Sequence, residues 1–170
     1  MTSPLPYPIH PIAEAATQIA QGEDPWFALG GFLHDWWCDA KDHRQDLISE
    51  PPAPLTTAEG KRWAAVCAAV VEEVCLRSGF PCPVWITRQE YVLEQPWFYP
   101  PQPTQQDWLR ATTPEPFQRR NVFLGGNVLD NKYELRQMFG SKPKWEVWSE
   151  HELEGLLAAN ESSEAGLVPE

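Results

Sequence analysis

Positive charge is scarce in this chain. Its 170 residues hold 13 lysines and arginines against 24 aspartates and glutamates, for a formal net charge of −11. That balance argues against a general nucleic-acid binder, whose affinity comes from neutralising phosphates. Long apolar runs are also missing: none approaches the roughly 18 residues that a membrane span needs. The opening Met1-Thr-Ser-Pro-Leu-Pro-Tyr-Pro8 has neither the basic stretch nor the apolar stretch of a secretory signal. Cysteines number four, Cys38, Cys67, Cys75 and Cys82, with no Cys-x-x-Cys pair among them. No His-Glu-x-x-His, no Gly-x-Gly-x-x-Gly and no phosphate loop ending in Gly-Lys-Ser/Thr occurs. No internal repeat is visible. These absences remove the metal, dinucleotide and nucleotide chemistries that short motifs would announce. They lead to the expectation of a cytoplasmic protein with reduced thiols and no cofactor.

Proline and tryptophan are abundant instead, at 18 and 9 residues. Each proline fixes φ and removes a donor, so the chain should be cut into short elements joined by ordered loops. Each tryptophan offers a large apolar area, with an indole N–H that needs an acceptor when buried. The expected fold is mainly α: one compact helical domain over 11–160, with at most a small β element. An extended segment over 1–10 precedes it and a disordered acidic tail over 161–170 follows it.

Within that domain the periodicity predicts a helix over 11–21, with Ile12, Ala15, Ala16 and Ile19 on one face. Asp24-Pro25 has the form of an N-cap followed by proline at the first helical position. The helix it opens should run to about Lys41, take the centre of the fold, and cross a neighbour closely at Gly30-Gly31. Thr56 and Glu59 have capping-box spacing. They precede the clearest pattern, 57–78, where Trp63, Val66, Cys67, Val70, Val71 and Val74 recur at three and four. Gly79 should end it in a left-handed turn. Residues 80–103 carry too many prolines and aromatics for a solvated loop and should lie over the helices, with a helical turn near 87–91. Short helices follow near 104–111 and 113–120, then a short strand at Val122-Phe-Leu124. A helix over 127–139, a strand over 144–148 and a last helix opened by Ser149 and Glu152 complete the reading.

The most informative stretch is Pro116-Phe-Gln-Arg-Arg-Asn-Val-Phe-Leu-Gly-Gly-Asn-Val-Leu-Asp-Asn-Lys132. Residues 110–144 carry a net +4, whereas 1–60 and 145–170 each carry −7. Two readings of this basic island compete. In one, Arg119 or Arg120 pairs internally with an Asp of the acidic first half, because a guanidinium binds carboxylate through two parallel bonds. In the other, Arg119, Arg120, Asn121 and Asn127 surround an anion held by the Gly125 and Gly126 amides. The paired acids Glu72-Glu73 read as a solvated face. His34 and Cys38, four apart on one helix face, with His43 beyond, are the only weak metal candidates. Trp97 and Trp148, in irregular segments, are candidate anchors for a partner.

The series Asp24-Pro-Trp26 to Trp37, Pro83-Val-Trp85, Tyr91-Val-Leu93, Pro96-Trp-Phe98 and Pro116-Phe-Gln-Arg-Arg-Asn-Val-Phe-Leu124 with Asn127-Val-Leu129 resembles a family of small bacterial helical proteins. That family ends in a Phe-Arg-Arg-Asn-x-Phe…Asn-x-Leu signature. This chain departs from it by continuing some forty residues past Asn127. The resemblance implies an antitoxin-like partner protein. Composition and resemblance together lead to an expected function as a non-enzymatic acidic module that binds a basic protein as its antitoxin or inhibitor. The alternative is a small enzyme or sensor with a phosphate or nucleotide site at Arg119 and Arg120.

Overall fold

A computed structural model describes residues 8–99, 101–126 and 128–129. The elements expected beyond Leu129, Trp148 among them, lie outside the described residues, as do residues 1–7 and Asn127. The described part is mainly helical, with one two-stranded sheet.

Helix α1 (Ile12–Ala20) buries Ile12, Ala15 and Ala16. Helix α2 (Pro25–His34) starts where the sequence places it: the Asp24 carboxylate accepts the Phe27 N–H at 2.9 Å and Pro25 takes the first position. It does not run on to Lys41. The chain loosens into a π-helical turn (Asp35–Asp39), tightens into a 3-10 turn (Lys41–His43) and ends in α3 (Arg44–Ile48). Arg44 covers this break. Its Nε donates to the Trp36 carbonyl at 3.0 Å and its guanidinium lies 4.9 Å from the Trp36 ring centre. The close helix crossing expected at Gly30-Gly31 is not there: Gly30 faces open space, and Gly31 faces the His10 ring at ordinary contact distance. A β-carbon there would sit 3.4 Å from the His10 ring.

Helix α4 (Ala58–Ser78) is the centre of the fold, a place the sequence suggested for α2. Every residue from Trp63 to Glu72 is buried, and α1, the 3-10 turns after the helix and the short helix at Glu115–Gln118 all pack against it. Its small residues, Ala64, Ala65, Ala68 and Ala69, let those neighbours approach from several sides. The cap is Thr57, whose hydroxyl accepts the Gly60 N–H at 3.0 Å, not Thr56. At the other end Gly79 has φ +64°, and the Phe80 N–H returns to the Cys75 carbonyl at 2.9 Å. This pair is the left-handed helix ending that a residue with a β-carbon resists.

Residues 80–96 lie against α4 through 3-10 turns at Val84–Thr87 and Gln89–Tyr91. Trp85 is buried there, its indole donating to the Ile48 carbonyl at 2.7 Å. Strand β1 (Trp97–Phe98) pairs in parallel with β2 (Val122–Phe123), Trp97 opposite Val122 and Phe98 opposite Phe123. Parallel strands need a crossover. It is supplied by a 3-10 turn (Pro103–Gln105), α5 (Gln106–Thr112) and α6 (Glu115–Gln118). Among the described residues no helix is long and apolar enough to cross a membrane.

Candidate functional site: an arginine-asparagine hub and an aromatic face

Arg119 and Arg120 follow directly on α6, which packs on α4, and both reach one carboxylate, Glu72. Arg119 donates through Nη2 to Glu72 Oε1, and Arg120 through Nη1 to Oε2 at 2.6 Å. Arg120 also donates to the carbonyls of Pro116 (2.7 Å) and Ile86 (2.9 Å). Its side chain is only 6% exposed, and its Nε is buried without a hydrogen-bond partner. Arg119 is 52% exposed and has a second carboxylate, Glu115, at 3.9 Å. Two guanidinium groups thus face two carboxylates, and the cluster is balanced in charge.

The carboxylate at the centre is not one from the acidic first 60 residues. Three of the aspartates there pair with histidines instead: Asp35 with His10, Asp39 with His34 and Asp46 with His43. Nor is Glu72 a solvated acid. It stands four residues after Ala68 and three before Cys75, both fully buried, so the helical period places it on an inward face. That period is the signal by which it could have been found. Glu73, one step round the helix, pairs with Arg77 at 3.0 Å.

Asn121 adopts φ +60°, a left-handed conformation that asparagine tolerates better than most residues. Its side-chain N–H donates to the Leu93 carbonyl at 2.6 Å, while the Leu93 N–H donates to the Arg120 carbonyl at 3.1 Å. The Trp97 N–H then donates to the Asn121 carbonyl (2.8 Å) and the Tyr99 N–H to the Phe123 carbonyl (3.1 Å). Arg119, Arg120 and Asn121 are therefore one hub. It ties α4, the 84–87 turn and the 93–99 segment together.

Gly125 and Gly126 point their N–H groups elsewhere. Gly125, at φ +92°, donates to the Thr113 hydroxyl at 2.8 Å, and Gly126 donates to that of Thr112 at 3.1 Å. The amides that an anion would use are already given to side chains. His34, Cys38 and His43 do not gather either. The two rings pair with different aspartates, and no group of three potential metal ligands occurs among the described residues. Burial pushes the Cys67 thiol up to about 12, opposite to what a nucleophilic thiolate requires.

Trp97 belongs to a row of rings. Trp26 meets Trp63 edge-on at 5.8 Å, Trp63 meets Trp97 at 5.4 Å, and Trp97 meets Tyr99 at 6.0 Å. Trp63 is buried, but Trp26 is 40% and Tyr99 47% exposed. Phe27, next to Trp26 in the chain, is 72% exposed. The Arg62 guanidinium lies 5.6 Å from the Trp97 ring centre. Trp108, in α5, is also exposed, at 50%. No family model, no curated protein and no solved structure matches the chain.

Proposed function

We propose that this chain is a non-enzymatic protein-binding module of the cytoplasm. It engages a basic partner protein through its aromatic face, as an antitoxin or inhibitor of that partner. The observation that carries this reading is the ring row ending in exposed Trp26 and Tyr99, with Phe27 beside Trp26 in the chain. Scattered exposed apolar residues are ordinary, whereas a connected set is a common mark of a contact surface. Tryptophan and tyrosine are also the residues that most often carry binding energy. Exposed Glu23 and Asp24 precede these rings directly. Carboxylates beside aromatic faces suit arginine and lysine, which are attracted both to the charge and to the ring. Arg62 on Trp97 is an internal instance of that contact. The net charge of −11 would draw such a partner in. The alternative, an anion site at Arg119 and Arg120, has less support because Glu72 already occupies both guanidinium groups.

Affinity capture from the source cell, at low and at high salt, tests the proposal. The expected result is one basic protein recovered in stoichiometric amount at low salt and reduced at high salt. Recovery of no stoichiometric partner, or of an acidic one insensitive to salt, would count against it.

A further inference from the structure

The end of α4 holds a second feature, independent of the aromatic face. The left-handed turn at Gly79 reverses the chain, so that Pro81 and Cys82 come back over Cys75. The Cys75 sulfur lies 3.9 Å from the Pro81 carbonyl oxygen, and Cys82 is the next residue in the chain. Cys75 is buried, Cys82 is exposed, and both are free thiols. Cys82 stands between Pro81 and Pro83. Proline fixes its own φ and confines the residue before it to extended conformations. The exposed sulfur is therefore held beside its buried neighbour by a stiff segment.

We propose that Cys75 and Cys82 are a reversible oxidation site, in which a hydroperoxide attacks at exposed Cys82 and buried Cys75 closes a disulfide onto it. In the first step the Cys82 thiolate attacks one peroxide oxygen and the O–O bond breaks. Cys82 becomes a sulfenic acid, and the leaving hydroxide or alkoxide takes up a proton to become water or an alcohol. In the second step the Cys75 sulfur attacks the Cys82 sulfur, the S–S bond forms, and hydroxide leaves with the Cys75 proton as water. Two thiols are oxidised by two electrons and one peroxide is reduced. A small thiol reverses the bond by exchange.

The division of labour follows from position. Burial first, and then the neighbouring Cys82, push the Cys75 thiol up to about 12, so it stays protonated and is not the group that meets the oxidant. The Arg44 charge acts on Cys75 in the opposite sense and favours its thiolate when it must attack. The bond would fasten residues that already pack on Trp36, whose indole donates to Ser78 at 3.0 Å and whose ring meets Phe80 edge-on at 5.5 Å.

The test treats the purified full chain with hydrogen peroxide, blocks remaining thiols with iodoacetamide, and maps peptides without reduction. The expected product is a linked Cys75–Cys82 peptide, with alkylation of Cys82 reduced at least about tenfold and restored by dithiothreitol. In Cys75→Ala the expected product is a Cys82 sulfenic acid, trapped by dimedone. Cys82 carried to sulfinic acid in the wild-type chain with no link, or linked to Cys38 or to a second chain, would overturn the proposal. The wild-type peptide map decides the matter even if Cys75→Ala fails to fold.

Discussion

The hub at Arg120 and the face at Trp26 treat their side chains in opposite ways. The hub takes groups that water solvates well, two guanidinium ions and a carboxylate, and encloses most of them. The face takes rings that water solvates poorly and leaves several open. Each arrangement costs free energy in isolation, but the hub recovers its cost within the chain. Arg120 replaces lost water with one carboxylate and two carbonyls. The face has no such return among the described residues. Largely paired polar groups in one place, with only the Arg120 Nε left over, and uncovered rings in another separate a structural role from a binding role. The two are also connected: the Asn121 carbonyl of the hub holds the Trp97 N–H, and the Phe123 carbonyl two residues on holds that of Tyr99, so this strand sets where the row of rings ends.

This contrast can be broken at several points. The largest effect is expected from Arg120→Ala, which leaves Glu72 buried with only the half-exposed Arg119 and strands two carbonyls. Breaking a buried pair costs about 3–5 kcal/mol, read from denaturant unfolding. Loss of less than about 1 kcal/mol would mean that Arg120 is not structural. Asn121→Ala should cost about 2 kcal/mol, from the lost bond to Leu93 and from the strained backbone. Asn121→Gly, which keeps the backbone free to adopt φ +60°, should cost less than the alanine variant. The order of the two separates backbone strain from the hydrogen bond. Arg119→Ala should cost under about 1 kcal/mol, because its half-exposed ion pair is screened by solvent. Phe27→Ala should change stability by no more than about 0.5 kcal/mol, since little of that ring is covered.

How much of this was legible in the sequence depends on the range of the interaction. Local features were readable. The Asp24-Pro25 start, the Gly79 ending, the apolar period of α4 and the short strand at Val122-Phe123 are set by neighbouring residues. The cap at Thr57 was missed by one position because two adjacent threonines offer the same chemistry, and only the backbone angles choose between them. The length of α2 was misread because its rings surround the helix and define no single buried side. Its true end is a π turn stabilised by Arg44, from a later element. The partner of the twin arginines was missed for a different reason. Glu72 is 47 residues from Arg119, and a paired Glu-Glu looks like surface until the helical period is followed through it. The exposure of Trp26 and Tyr99 was out of reach, because composition gives the number of rings and not which of them find cover.

The central claim is that binding resides in the aromatic face and not in the basic cluster. It is tested most directly by comparing Phe27→Ala with Arg119→Ala in quantitative capture of the basic partner, each variant first shown to unfold like the wild-type chain. The account predicts at least about a tenfold loss of retained partner for Phe27→Ala, as for a residue at a contact hot spot, and near-normal retention for Arg119→Ala. Normal capture by Phe27→Ala together with loss in Arg119→Ala would contradict it.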